Sequence, residues 1–359
     1  VLSLMLRTAA TSVAALGVTL LAGPAAFAGG VGGGSGEGPS YTAGASHVTL
    51  SGDYSPAKQA SVASPAPLCW WEPIDWSTDL DVTDPQAVKK YWDEEIRPWL
   101  TGHAAEGQLA VHYERFQEAI RAVKKGQDIT WYQLEVDESQ LHVTGSDSDP
   151  TQAAGYNEAR ALDAAGCGSG TQPGRYGPIL VTMDWFVTGT QPDPVVKPEA
   201  LAEYAYEVMD LVEPTLDWNP RIGALNEASL VNLPTWLWVD QPQAVGVRSV
   251  TATAGPVSAT VTARTDGVSI TSPAGTTECG IDAARTAYTR NASEADACTL
   301  SFDRASRGYP AGFPVEARTA WTAQWTSNVG ESGSLAAKSV GRTTDIPVAE
   351  SESLVTSVG

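Results

Sequence analysis

The spacing of apolar positions changes its character once along the chain. Before about Asn232 it mixes helical and strand-like periods. Thr83-Asp84-Pro85 reads as a helix start, a capping side chain followed by proline at the first helical position. Val88, Trp92, Ile96 and Trp99 then recur at three and four and form one apolar stripe, with Pro98 placed to end or kink the helix. A second helix is predicted over about Gly107 to Lys125, striped by Leu109, Tyr113, Phe116, Ile120 and Val123 and closed by Lys124-Lys125-Gly126. Ile129 to Val136 alternates as a strand, Ile179 to Val187 forms a stronger one, and a short helix is expected around Asn157 to Ala165. A third helix, Pro198 to Val212, carries Leu201, Tyr204, Val208 and Leu211 and stops at Pro214. This is the pattern of an α+β domain over residues 68–232.

After Val245 no helical period remains. VRSVTATA, VSATVTA, GVSIT, CTLSF and VGRTTDIPV are short strand candidates between turn-forming clusters. Val315 to Trp325 is the clearest: Val315, Ala317, Thr319, Trp321, Ala323 and Trp325 share one face, and Glu316, Arg318, Thr322 and Gln324 the other. That is the alternation of an antiparallel sheet with one wet side. Short strands with frequent turns predict an all-β sandwich over residues 233–350. The joint is NLPTWLWVDQP, Asn232 to Pro242. In a strand, Trp236 and Trp238 point one way and Leu237 and Val239 the other, so the strand reads as covered on both faces, with the tryptophans as core rather than as a ligand platform.

The N-terminus reads as an address. Arg7, the apolar run Val13 to Leu21 and Ala26-Phe27-Ala28 have the order of a secretory signal peptide over residues 1–28. Residues 29–67, rich in Gly, Ser, Ala and Pro, predict a flexible leader, and 351–359 a tail. The apolar run is short for a span, so stable membrane insertion is not expected. The formal net charge of −20 disfavours nucleic acid, whose phosphates demand an excess of Lys and Arg. Four cysteines in an exported chain imply two disulfides. Of three pairings, Cys69–Cys167 and Cys279–Cys298 keep one bridge in each domain. No C-x-x-C spacing and no nearby histidine supports a metal there, and no cofactor is expected.

PTWLWVD, VRSVTATAGPVSATVTAR, the turn Asp266-Gly267, Cys279, CTLSFDRAS from Cys298, and VEARTAWTAQWTSNVGESGSL together resemble a group of secreted actinobacterial proteins. Their C-terminal part is a PKD-like, immunoglobulin-type β-sandwich. The resemblance covers about Asn232 to Glu350. It departs from the PKD pattern at Arg264-Thr265-Asp266-Gly267 and Thr299-Leu300-Ser301-Phe302. It implies a module for spacing, adhesion or contact with a surface protein or glycan, secreted to the medium or held at the cell wall.

Candidate chemistry concentrates in Trp70 to Asp84. Asp79 and Asp81 fall in a D-x-D-x-T spacing, but no buried hydrophobic strand precedes it, as phosphatase chemistry would need. Trp70, Trp71 and Trp76 beside Asp79 and Asp81 could form a carbohydrate-binding or carbohydrate-cleaving site, where paired acids meet aromatic platforms. The competing account is an acidic loop with tryptophan anchors in the core. The four histidines form no H-E-x-x-H, and no G-x-S-x-G elbow or G-x-x-x-x-G-K-[ST] loop is present. The expectation is therefore a protein that acts by binding or display rather than by turnover.

Overall fold

The computed structural model describes residues 47–76, 80–98, 113–141, 160–173, 178–291 and 293–350. Many antiparallel strands and a few helices make it mixed α+β, with strands dominating the C-terminal half. The described chain divides into two compact units. One contains Ala63–Lys197 and Ala254–Val257; the other contains Thr49–Val62, Pro198–Thr253 and the chain from Ser258 onward.

Two elements precede the expected start of order at residue 68. Strand β1 (Thr49–Gly52) pairs antiparallel with Val247–Ala254, and helix α1 (Pro56–Ser61) begins at the Ser55 cap. The leader reading is thus corrected from residue 49 on. The segment has too few apolar residues to announce itself, and its order is borrowed from a partner strand's free edge. Asp53 locks it there, accepting from the Ser249 amide at 3.0 Å and pairing with Arg248 at 3.4 Å.

In the first unit, β2 (Cys69–Pro73) leads to α2 (Pro85–Tyr91). Asp84 caps α2 by accepting from the Gln86 amide at 2.9 Å, and Trp92–Ile96 continues it as a π-turn. Helix α3 (Tyr113–Lys124) is the C-terminal part of the second predicted helix; residues 99–112, with Trp99, Gly107 and Leu109, lie outside the described residues. Gly126 follows it at φ 79°, and the Gln127 amide reaches back to the Ala122 carbonyl at 3.1 Å, so glycine turns the chain out of the helix. Strand β3 (Ile129–Val136) is central in an antiparallel sheet. β4 (Thr171–Pro173) and β5 (Pro178–Leu180) form a small ribbon, and β6 (Met183–Val187) completes the order β2-β3-β6. The predicted run from Ile179 to Val187 is therefore two strands. Its break falls where the Val181 amide turns to the Gly170 carbonyl. Of the predicted short helix, 160–164 are helical, and 142–159 lie outside the described residues. Phe116 of α3 packs tilted against Trp131 of β3, ring centres 4.5 Å apart, in a core shared with Leu80, Val88, Ile96, Ile120 and Met183.

The second unit resumes with α4 (Pro198–Val208), then β7 (Leu216–Asn219), β8 (Ser229–Leu230) and β9 (Pro234–Val239). The boundary expected at 232/233 thus falls at 197/198. Helix α4 is apolar over most of its surface: Leu201, Ala202, Tyr204, Ala205, Tyr206 and Val208 are all buried. Its pattern required burial without specifying the partner, which is the β-rich unit.

There follow β10 (Val247–Ala254), β11 (Val257–Arg264), β12 (Gly267–Ser272), β13 (Gly275–Gly280), the short helix α5 (Ile281–Arg285) and β14 (Cys298–Ser301). The chain closes with β15 (Phe313–Ser327), β16 (Ser332–Ile346) and β17 (Val348–Ala349). The large sheet has the order β1-β10-β11-β15-β12-β13, with β16 also on β15. β15 organises it: Arg264 to Ala259 lie opposite Thr322 to Ser327, Ser269 to Thr271 opposite Arg318 to Glu316, and β16 runs along nearly its whole length. The predicted alternation holds, with Trp321 and Trp325 buried and Thr322 and Gln324 exposed. A second sheet has the order β14-β9-β7, and β17 pairs parallel with β8. Leu216, Leu237, Val239 and Leu300 from the second sheet share one core with Val268, Ile270, Phe313, Val315 and Ala317 from the first.

Both expected disulfides are present. Cys69–Cys167 ties β2 to the segment after 160–164, and Cys279–Cys298 ties β13 to β14.

Candidate functional site

The tryptophans of the first candidate site part company in space. Trp71 is buried, its ring edge-on to Phe186 at 5.3 Å, and Phe186 also meets Tyr132 at 5.7 Å. Trp76 packs against Trp131 at 6.3 Å and Tyr91 at 5.8 Å. Trp131 and Tyr132 are consecutive in β3 and point to opposite faces of the sheet. Trp71 and Trp76 therefore serve opposite faces and form no common platform; Trp70 lies half-buried between Cys69 and Trp71 in β2. In this cluster the indole N–H groups of Trp76, Trp131 and Trp185 are buried with no acceptor among the described residues.

Asp79 lies outside the described residues. Asp81 is exposed and locally engaged. One oxygen accepts from the Thr83 hydroxyl at 2.6 Å and the Thr83 amide at 2.9 Å. The Thr83 hydroxyl, foremost, holds this carboxyl below the usual carboxylate range. A general acid needs the opposite tuning. Asp81 and Asp84 instead shape the entry into α2. Among the described residues no group of three or more His, Cys, Asp or Glu is placed to hold a metal ion.

The arrangement best suited to recognition lies on β9. Its odd positions, Leu237 and Val239, enter the shared core, so Trp236 and Trp238 face the other way. Trp236 is 6 % exposed and closed off from above. Its Nε1 donates to the Thr286 carbonyl at 2.8 Å, and Tyr288 stands edge-on at 5.5 Å. Trp238 is only half-buried and Tyr288 is 41 % exposed. Register sets Asp217 opposite Trp238, and Asn219 and Thr299 on either side of Trp236. Asp217 is fixed by Arg221 and by the Trp218 amide at 2.9 Å, and the Arg221 guanidinium lies 3.6 Å from the Trp218 ring centre. The reading of both tryptophans as core holds at Trp236, which is covered on its outer side, while Trp238 is only partly buried. Periodicity had put the pair on one face; it could not say which side the core lies on. Aromatic surface beside a fixed carboxylate and an amide suits contact with an amphipathic ring.

Comparison with protein family models, with curated proteins and with solved structures finds no match for this chain.

Proposed function

We propose that this is an exported, non-enzymatic protein that acts by binding or display. Its β-rich unit is read as a PKD-like, immunoglobulin-type sandwich, since two sheets contribute to one core. The contact surface is the outer face of β9, and its partner is a surface protein or glycan. The observation carrying this reading is the partly exposed Trp238 opposite Asp217, with the exposed Tyr288 against Trp236, on the side of β9 away from the core. Two disulfides fit an oxidising, extracellular compartment. No helix among the described residues is long and apolar enough to cross a membrane. A glycan-cleaving site at Trp70 to Asp84 is disfavoured by the split of Trp71 and Trp76 onto opposite faces of the sheet.

The test is retention of culture-surface components on immobilised protein, with the Trp238→Ala variant as control, beside a glycosidase, esterase, phosphatase and peptidase screen. A component retained by the parent and lost with Trp238→Ala supports the reading. Turnover that disappears in Asp81→Ala with folding intact overturns it.

A further inference from the structure

The wet face of the large sheet carries a second feature, on strands other than β9. Across β13, β12 and β15 the register lines up Glu278, Ser269 and Arg318 as one polar row. Beside it, Gly280 faces Gly267, and Ala320 follows Arg318 by two positions. A row almost without side chains next to the Glu278–Ser269–Arg318 row makes a trough that Asp266 also lines. Its volume is about 380 Å³, within the range of small-molecule sites. Gly267 is required in the floor: a Cβ there would lie 2.0 Å from the Cys279 carbonyl oxygen.

The charges around the trough are not spent on each other. The Ser269 hydroxyl donates to Glu278 Oε1 at 2.7 Å, which orients that carboxylate and leaves its other oxygen available. Among the described residues Arg318 pairs only with Glu316, through Nη2, and neither Glu278 nor Asp266 has an ion-pair partner. Two acceptors and one guanidinium edge therefore border the same cavity. A cation alone would leave the remaining edge of the Arg318 guanidinium unused, and a phosphate would meet two carboxylates.

We propose that this trough binds a small zwitterion bearing an ammonium and a carboxylate group, as a free α-amino acid or the charged end of a short peptide does. The ammonium sits against Glu278 and Asp266. The carboxylate takes the open edge of Arg318, whose planar donors match it. The site is independent of the β9 face, so either can fail without the other.

The experiment is an NMR titration of the whole protein with alanine, N-acetylalanine, alanine amide and the dipeptide Ala-Ala. Saturable shifts with alanine or Ala-Ala, weakened about tenfold or more by blocking either charge, are expected. Alanine binding alone assigns the amino acid; Ala-Ala binding alone assigns the peptide. Gly280→Trp introduces bulk at the trough where a Cβ meets no atom within 4 Å and the φ of −63° suits any residue. It should abolish the shifts at unchanged melting temperature, and Arg318→Met should weaken them about tenfold. Absence of saturable binding, equal binding of the blocked compounds, or undiminished binding by Gly280→Trp overturns the proposal.

Discussion

The hydroxyl of Tyr206 in α4 donates to the main-chain carbonyl of Trp321 in β15 at 3.4 Å, and both residues are buried. The contact shows why α4 belongs with the strands that follow it. Lys338 of β16 adds a clamp: its ammonium bonds the Tyr206 carbonyl at 3.1 Å, pairs with Glu207 at 2.8 Å and lies 4.2 Å from the Tyr206 ring centre. Trp321 is fully buried. Trp321→Ala should cost about 3–5 kcal/mol in urea unfolding. Tyr206→Phe keeps the ring and loses the hydroxyl bond, so its cost should be near 1 kcal/mol. A Trp321→Ala cost below about 1 kcal/mol would mean that this face of β15 is not core.

Tyr206 also sets an alkaline limit. Burial, the foremost cause, raises its phenol above the usual tyrosine value. The folded state therefore keeps a proton that the unfolded chain releases. The resulting stability is whole below the unfolded value near pH 10 and is lost as pH rises through the folded value. Melting temperatures followed from pH 8 to 12 should fall less steeply for Tyr206→Phe than for the parent. Parallel curves would show that Tyr206 does not contribute.

The cap of α2 can be weighed directly. Asp84 satisfies the Gln86 amide, and Pro85 occupies the first helical position, where no amide is needed. Asp84→Ala should lower unfolding free energy by about 1 kcal/mol, and Asp84→Asn by less, since Asn also caps. Equal losses for both would point to charge rather than to the cap.

What was legible in the sequence follows from the physics of each element. β15 announces itself because one face is buried and the other wet, and this imprints a period of two on Val315 to Trp325. β16 is equally long but reads SGSLAAKSVGRTTDI, mostly exposed on both sides, and owes its order to β15 rather than to an apolar face of its own. Only its VGRTTDI end stood out. β1 was missed for the same reason. The cap at Asp84, the stripe Phe116 and Ile120, and the cysteine pairing were readable because each depends on local spacing or on a small number of pairings. The candidate site was not, because Trp71 and Trp76 are near in sequence yet are assigned to faces only by the strand pairing of β2 with β3.

The shorter disulfide should carry much of the β-rich unit's resistance to unfolding. Cys279 and Cys298 are 19 residues apart and join β13 to β14, hence one sheet to the other. Replacing both by serine should cost about 3 kcal/mol on chain-entropy grounds, and opening the longer Cys69–Cys167 loop about 4–5 kcal/mol. Non-reducing peptide mapping should recover these two pairs alone; a linked Cys69–Cys279 peptide would contradict the fold.

Adjacent residues in β9 offer the sharpest separation of structure from function. Leu237 is fully buried in the shared core, and Trp238, next along the strand, faces away from it and is partly open. Leu237→Ala leaves a cavity among Leu216, Leu300 and their neighbours and should cost about 2–5 kcal/mol. Trp238 is only partly buried, so Trp238→Ala should cost less than the roughly 3–5 kcal/mol typical of a fully buried tryptophan. Binding should respond in the opposite order. A partly exposed indole that anchors a partner contributes about 2 kcal/mol or more, a loss of roughly thirtyfold in affinity, when it is truncated. Leu237→Ala, studied well below its melting temperature, should bind as the parent does. Equilibrium unfolding and binding to whichever component the parent retains would give the two orders. If Trp238→Ala destabilises the fold as much as Leu237→Ala and leaves binding unchanged, the outer face of β9 is packing and the contact surface lies elsewhere.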